Sequence, residues 1–238
     1  MPLITQKAIA FAGKTAIIDP KGKYTYQQII DASNLWAHRF LKGQSDLNGA
    51  RIAFMVTPGF DYVAVQWGIW KAGGVAVPLC VTYPLASLAY VLDDTGAEQV
   101  VIDTEFEPVL LEYVSGKELV FHLLSGPGNP QIGALPFVSA DRPAMILYTS
   151  GTTSLPKGVV SSHANIDFQM ECLIQAWEWN ESDRTICMLP LHHIHGIINV
   201  VGCSLSVGGI CEFLPKFSES AVYDRLLSGE LTVFMAVP

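Results

Sequence analysis

Apolar residues recur along this chain in two alternating patterns, short continuous runs and helix-spaced stripes. Thr25-Tyr26-Gln27-Gln28 has the form of a capping box, with Thr25 as N-cap and Gln28 three residues on. Ile29, Ser33, Trp36, Ala37 and Phe40 follow at helical spacing. Residues 51–56 read as a strand. Residues 59–71 read as a helix with Phe60, Val63, Ala64 and Trp67 on one face, stopped by Gly73-Gly74. A short buried strand, 75–78, comes next. Pro84 opens a helix with Leu85, Leu88, Val91 and Leu92 facing inward and Gly96 ending it. A strand at 100–102, a helix at 108–114 and a strand at 119–123 complete this run.

The pattern then changes. Residues 125–141 contain Gly126-Pro127-Gly128-Asn129-Pro130, Gly133 and Pro136, with Pro143 close behind, which reads as a linker or surface loop. The expected organisation is a first α/β subdomain at 1–124, a linker at 125–143, and the start of a second α/β subdomain at 144–238. In the latter, 144–148 is an apolar strand and Val159-Val160 a short apolar pair. Ser162 is an N-cap candidate for a helix to about Trp177, with Ile166, Met170, Leu173, Ile174 and Trp177 on one stripe. Strands at 185–189, 210–214 and 231–235 alternate with helices at 196–207 and 218–227. Strands and helices joined by short connections predict an α/β fold with a largely parallel sheet. The last strand hands over to no further element, so the expectation is that the fold continues beyond Pro238. The unfinished sheet edge favours self-association.

Composition narrows the function. The 238 residues are half hydrophobic and 15% charged, enough for a large core in one or two domains. A net charge of −8 argues against a general nucleic-acid or anionic-membrane surface. The five cysteines, Cys80, Cys172, Cys187, Cys203 and Cys211, form no Cys-x-x-Cys pair and read as reduced, buried thiols. There is no apolar signal segment at the N-terminus and no uncharged run of the ~18 residues a membrane span needs. A soluble, cytoplasmic protein is expected.

Two stretches carry candidate chemistry. The first is Tyr148-Thr149-Ser150-Gly151-Thr152-Thr153-Ser154-Leu155-Pro156-Lys157-Gly158. It follows a buried strand and is rich in hydroxyls and glycine, with one lysine. Backbone N–H groups and hydroxyls can donate to phosphate oxygens, the glycines allow close approach, and Lys157 supplies a mobile point charge. It is no Walker A loop, since Pro156 precedes Lys157 and Gly158 follows it. The competing reading is a plain polar surface loop. The second stretch is Leu189-Pro190-Leu191-His192-His193-Ile194-His195-Gly196, between a strand and a helix, where parallel sheets bind ligands. Three readings stand: a metal site, histidines with only a packing role, and the wall of a substrate pocket. Positions i, i+1 and i+3 converge poorly on one ion.

Residues 148–158 closely resemble the phosphate-binding signature of the adenylate-forming enzymes, which include acyl-CoA synthetases, peptide-synthetase adenylation domains and luciferases. Ser154 stands where that family usually has glycine. Pro190, Leu191, His192, His193, His195 and Gly196 resemble its Pro-Leu-aromatic-His-aromatic-Gly motif, with His195 in place of the second aromatic. That His-x-His-Gly arrangement is similar to malonyl- and methylmalonyl-CoA synthetases, as are residues 72–79, 62–67 and 234–238. The resemblance implies a ligase that activates a small carboxylic acid with ATP and Mg²⁺ and transfers the acyl group to coenzyme A. It implies ATP-phosphate contacts from Thr149, Ser150, Gly151, Thr152, Thr153, Ser154, Lys157 and Gly158, with Thr152 also near the metal. It places His193, His195 and Gly196 at the acyl and CoA pocket, and no side chain as a covalent catalyst. The family's magnesium-holding glutamate, ribose-binding aspartate and C-terminal lysine are expected past position 238, so the chain reads as an N-terminal fragment, inactive alone. A fatty or aromatic acid–CoA ligase and a non-catalytic nucleotide-binding fragment remain as alternatives. The five tryptophans read as packing residues, and Asp93-Asp94 as a solvated helix end.

Overall fold

The computed structural model describes residues 2–125, 128, 130–149, 155–214 and 216–237. In chain order its first elements are α1 (Leu3–Lys7), β1 (Thr15–Asp19), β2 (Gly22–Thr25), α2 (Tyr26–Leu41), β3 (Arg51–Met55), α3 (Phe60–Lys71), β4 (Val75–Pro78), α4 (Leu85–Thr95) and β5 (Gln99–Ile102). Then come α5 (Glu107–Ser115), β6 (Val120–Leu123), β7 (Pro143–Thr149), β8 (Lys157–Ser162), α6 (His163–Ala176), β9 (Arg184–Cys187), α7 (Cys203–Ser206), β10 (Ile210–Phe213) and α8 (Glu219–Leu227). The mixed α/β class and the mostly parallel sheets agree with the sequence pattern.

Two compact units share these elements. Asp31–Thr57 and Asp61–Ala164 make up nearly all of the first. Its sheet runs β6-β5-β3-β4-β7-β8. The first five strands are parallel, and only β7 and β8 pair antiparallel. β4 and β5 are buried along their whole length, and β3 everywhere except Arg51. Strands covered on both faces read as continuous apolar runs, which is why these were legible. Ala53, Val77, Val100 and Ile102 pack with Leu88, Val91 and Leu92 of α4 and with Leu110 and Val114 of α5. The start of β7 is tied down by polar groups. Trp70 Nε1 donates to Ala144 O at 2.7 Å, and Arg142 grips Asp46 with two bonds of 2.7 and 2.9 Å while reaching Gly73 O.

The second unit contains Leu3–Ile30, Pro58–Phe60 and the chain from Asn165 on. Its sheet runs β2-β1-β10-β9, parallel except for the β1–β2 hairpin. Asp19 Oδ1 closes that hairpin by accepting from the N–H groups of Lys21 and Gly22 at 2.8 and 3.1 Å. The capping box is present: Thr25 N donates to Gln28 Oε1 at 2.7 Å and Gln28 N to Thr25 Oγ1 at 3.3 Å. Tyr26, fully buried, donates its hydroxyl to Gly209 O.

Strand pairing groups the chain differently from its order. The expected division was 1–124, 125–143 and 144–238. The structure pairs β7 with β4 inside the first sheet, and puts β1 beside β10, some two hundred residues away in sequence. The β7–β8 hairpin therefore sits with the first unit, and the N-terminal hairpin with the second. Three local differences follow. Val159-Val160 belongs to a full strand, β8, hydrogen-bonded to β7. The expected helix at 196–207 begins as a π-helical segment, His195–Gly202, and becomes α-helical at α7. Residues 231–235 make one bridge, Val233 to Thr185, next to which Thr232 N donates to Arg184 O and Arg184 N to Thr232 Oγ1. Trp36, Trp67, Trp70 and Trp179 are buried, whereas Trp177 is 48% exposed and lies beyond α6. Among the described residues no helix is long and apolar enough to cross a membrane.

Candidate functional site

The first constellation is the loop end of the β7–β8 hairpin. Antiparallel pairing sets Ile146 opposite Val160, Tyr148 opposite Gly158, and Thr149 opposite Lys157. Thr149 and Lys157, both exposed, are therefore direct cross-strand neighbours at the mouth. Ser150, Gly151, Thr152, Thr153 and Ser154 lie outside the described residues.

Gly158 has a packing reason. A methyl group there would come within 3.0 Å of Ile146 Cγ2 and 3.2 Å of Tyr148 Cζ, so the absent side chain makes room for the tyrosine ring opposite. That ring is fixed in turn. Tyr148 donates its hydroxyl to Asp94 Oδ2 at 2.5 Å, and Tyr90 stands edge-on to it with centroids 6.1 Å apart. Burial, then the Asp94 carboxylate, pushes the Tyr148 phenol well above its usual pKa. Tyr90 donates to Pro156 O at 2.9 Å. The Asp93-Asp94 pair is thus more than a solvated helix end, since Asp93 pairs with Lys117 while Asp94 holds β7. The spacing of Tyr90 and Asp94, one helical turn apart, was visible in the sequence. Their partners were not, because β8 has no strong strand signal of its own.

The second constellation follows β9. Leu189 and Pro190 lead into a turn in which His193 N donates to Pro190 O and Ile197 N to His193 O, at 3.3 and 3.2 Å. His193 is exposed, while His192 and His195 are half-buried. The rings of His192 and His193 lie 4.1 Å apart. Burial, helped by the neighbouring His193, lowers the His192 pKa to about 4, so His192 is neutral at pH 7. Gly196 is tightly enclosed: a methyl group would meet Pro190 O at 3.0 Å, Leu191 Cδ2 at 3.1 Å and Leu189 Cβ at 3.3 Å.

A cavity of about 650 Å³ opens beside this motif, lined by Met188, Leu189, Pro190, Phe217, Glu219, Val222, Tyr223, Leu226, Phe234, Ala236 and Val237. Leu189 and Pro190 reach it, but His193 and His195 do not line it. The two constellations belong to different compact units. Among the described residues no group of three or more His, Cys, Asp or Glu side chains could hold a metal ion.

The model of a family described as AMP-binding enzyme matches residues 4–238. The chain belongs to the AMP-binding enzyme family. Malonate–CoA ligase ACSF3, mitochondrial, of Mus musculus is 38% identical over 252 residues, covering 98% of this chain and 42% of the mouse protein. The Homo sapiens protein of the same name is 36% identical, covering 100% of this chain and 43% of its own length. Among solved structures, ATP-bound MatB from Rhodopseudomonas palustris superposes with a TM-score of 0.86 at 27% identity, covering 100% of this chain and 49% of that one. The chain thus spans less than half the length of each of these three proteins.

Proposed function

We propose that this chain carries the phosphate-binding and acyl-side elements of an ATP-dependent acid–CoA ligase that activates a small dicarboxylate such as malonate. One carboxylate oxygen attacks the α-phosphorus of ATP, and the α–β phosphoanhydride bond breaks. Acyl-adenylate forms and pyrophosphate leaves. The coenzyme A thiol, losing its proton, then attacks the acyl carbon and displaces AMP. Such transfer needs positioning and charge neutralisation rather than a protein nucleophile. Thr149, Ser150, Gly151, Thr152, Thr153, Ser154, Lys157 and Gly158 are assigned to the β- and γ-phosphates. Magnesium arrives as part of the Mg-ATP substrate, with Thr152 as its assigned contact. His193, His195 and Gly196 are assigned to the acyl and CoA side, where an imidazole N–H can donate to the second carboxylate.

The observation that carries this reading is the cross-strand pairing of Thr149 with Lys157 at the mouth of a hairpin in an AMP-binding enzyme. The names of the relatives favour malonate. The apolar lining of the cavity beside Leu189 and Pro190 favours a second reading, a larger apolar or aromatic acid. Acid-dependent ATP–pyrophosphate exchange by the full-length enzyme separates them, with malonate, butyrate and benzoate as substrates. Malonate supports exchange under the first reading, and benzoate alone under the second. In either case Lys157→Ala slows exchange by on the order of 10², as expected for loss of one preorganised charge-stabilising donor. Exchange unaffected by Lys157→Ala would remove the hairpin from the reaction.

A further inference from the structure

We infer that Tyr90 and Asp94 are positioning residues for the nucleotide, holding β7 at Tyr148 and the chain entering β8 at Pro156 from one face of α4, and so setting the place of Lys157. The inference rests on the reading of the β7–β8 hairpin as the phosphate-binding element. Residues four apart on a helix share a face. Tyr90 reaches Pro156, the residue before Lys157, and Asp94 reaches Tyr148, the residue before Thr149. The two bonds therefore flank the Thr149–Lys157 pair, one on β7 at Tyr148 and one at Pro156, the residue just before β8 begins. Pro156 has no N–H, so its carbonyl is the sole backbone group by which the chain can be held at that point.

The anchor itself is rigid. Leu88, Val91 and Leu92 of α4 are buried in the first unit's core. Tyr113 donates to Ala89 O, and Lys117 pairs with Asp93, on the same helix. Tyr90 packs its ring against this core and turns its hydroxyl to Pro156, and Asp94 is exposed beside Tyr148. A lysine on a hairpin mouth held at one stem only would swing with the other stem. A charge acts on a developing or bound anion only while its position is kept, and displacement of about an ångström weakens it severely.

The test uses the whole 238-residue chain, titrated calorimetrically with Mg-ATP and separately with AMP, alongside its thermal midpoint. Tyr90→Phe keeps the ring beside Tyr148 and removes the hydroxyl, and Asp94→Ala removes the acceptor. Each variant is expected to weaken ATP about fivefold, the effect of one hydrogen bond, with AMP affinity and, for Tyr90→Phe, the thermal midpoint unchanged. The split matters because AMP lacks the β- and γ-phosphates, and a merely structural role would weaken both ligands together. ATP affinity unchanged in Tyr90→Phe but lost in Lys157→Ala overturns the positioning role alone. Equal weakening of ATP and AMP with a lowered midpoint also overturns it. An unmodified chain that shows no preference for ATP over AMP overturns the hairpin reading and this inference together.

Discussion

The Tyr148–Gly158 hairpin and the Pro190–Gly196 turn each close on a glycine, but the neighbours that exclude a side chain differ in kind. At Gly158 they are side-chain atoms of Ile146 and Tyr148. At Gly196 the nearest is a backbone oxygen, Pro190 O. The hairpin is further held from outside by Tyr90 and Asp94, whereas the turn is closed chiefly by its own backbone bonds. One motif is positioned by tertiary contacts and the other largely by local geometry. A motif glycine is therefore not evidence by itself of ligand approach, since both of these have packing reasons.

The largest expected effect is in acid and falls more heavily on the first unit, which has two such histidines against His192 in the second. His122 and His163, both in the first unit, are 4% exposed, and each has its pKa lowered to about 4 by burial first and by nearby cations second. His122 accepts from Arg39 Nε at 3.0 Å and faces Gln99 Oε1 at 2.8 Å, so it is held neutral with its proton on Nε2. The unfolded chain takes up protons near pH 6.5 and the folded chain only near pH 4. Stability from this source is therefore full above pH 6.5 and falls as pH falls between those values. Each histidine is expected to cost about 2 kcal/mol at pH 5, so about 4 kcal/mol together. Trp36 and Trp70 stand edge-on to His122 and His163, so urea unfolding followed by tryptophan fluorescence reports on this unit. Equal urea midpoints at pH 7.5 and pH 5 would contradict the expectation.

A smaller effect sharpens the glycine comparison. Gly196→Ala presses a methyl group on backbone and is expected to cost about 2 kcal/mol, the usual scale of overpacking. Gly158→Ala meets side chains that can yield by a few tenths of an ångström, and should cost less than about 1 kcal/mol. Urea midpoints of the two variants measure the order directly, and the reverse order would break the comparison. The smallest effect concerns the substrate side. Under the proposed malonate reading, His195→Phe in the full-length enzyme is expected to lower kcat/KM for malonate roughly tenfold, the worth of a charged hydrogen bond, while butyrate holds or improves. Equal losses with both acids would show that His195 shapes the turn without reading charge.

What the sequence determined by itself was local. The capping box at Thr25, the buried strands 51–55, 75–78 and 99–102, and the helix that begins after Pro84 all announce themselves within one element. The long hydroxyl-rich signature and the His-x-His-Gly motif were likewise legible, because their chemistry is written in consecutive residues. The tertiary structure alone decided what pairs with what. β8 exposes Val159 and Val160 on a sheet edge and carries no alternation to mark it as a strand. The N-terminal hairpin became part of the second sheet only through β10, and Tyr90 and Asp94 gained a role only through Pro156 and Tyr148. The physical reason is range. Helical periodicity and caps act over a few residues, whereas strand pairing joins segments far apart in sequence, and no local pattern records the partner.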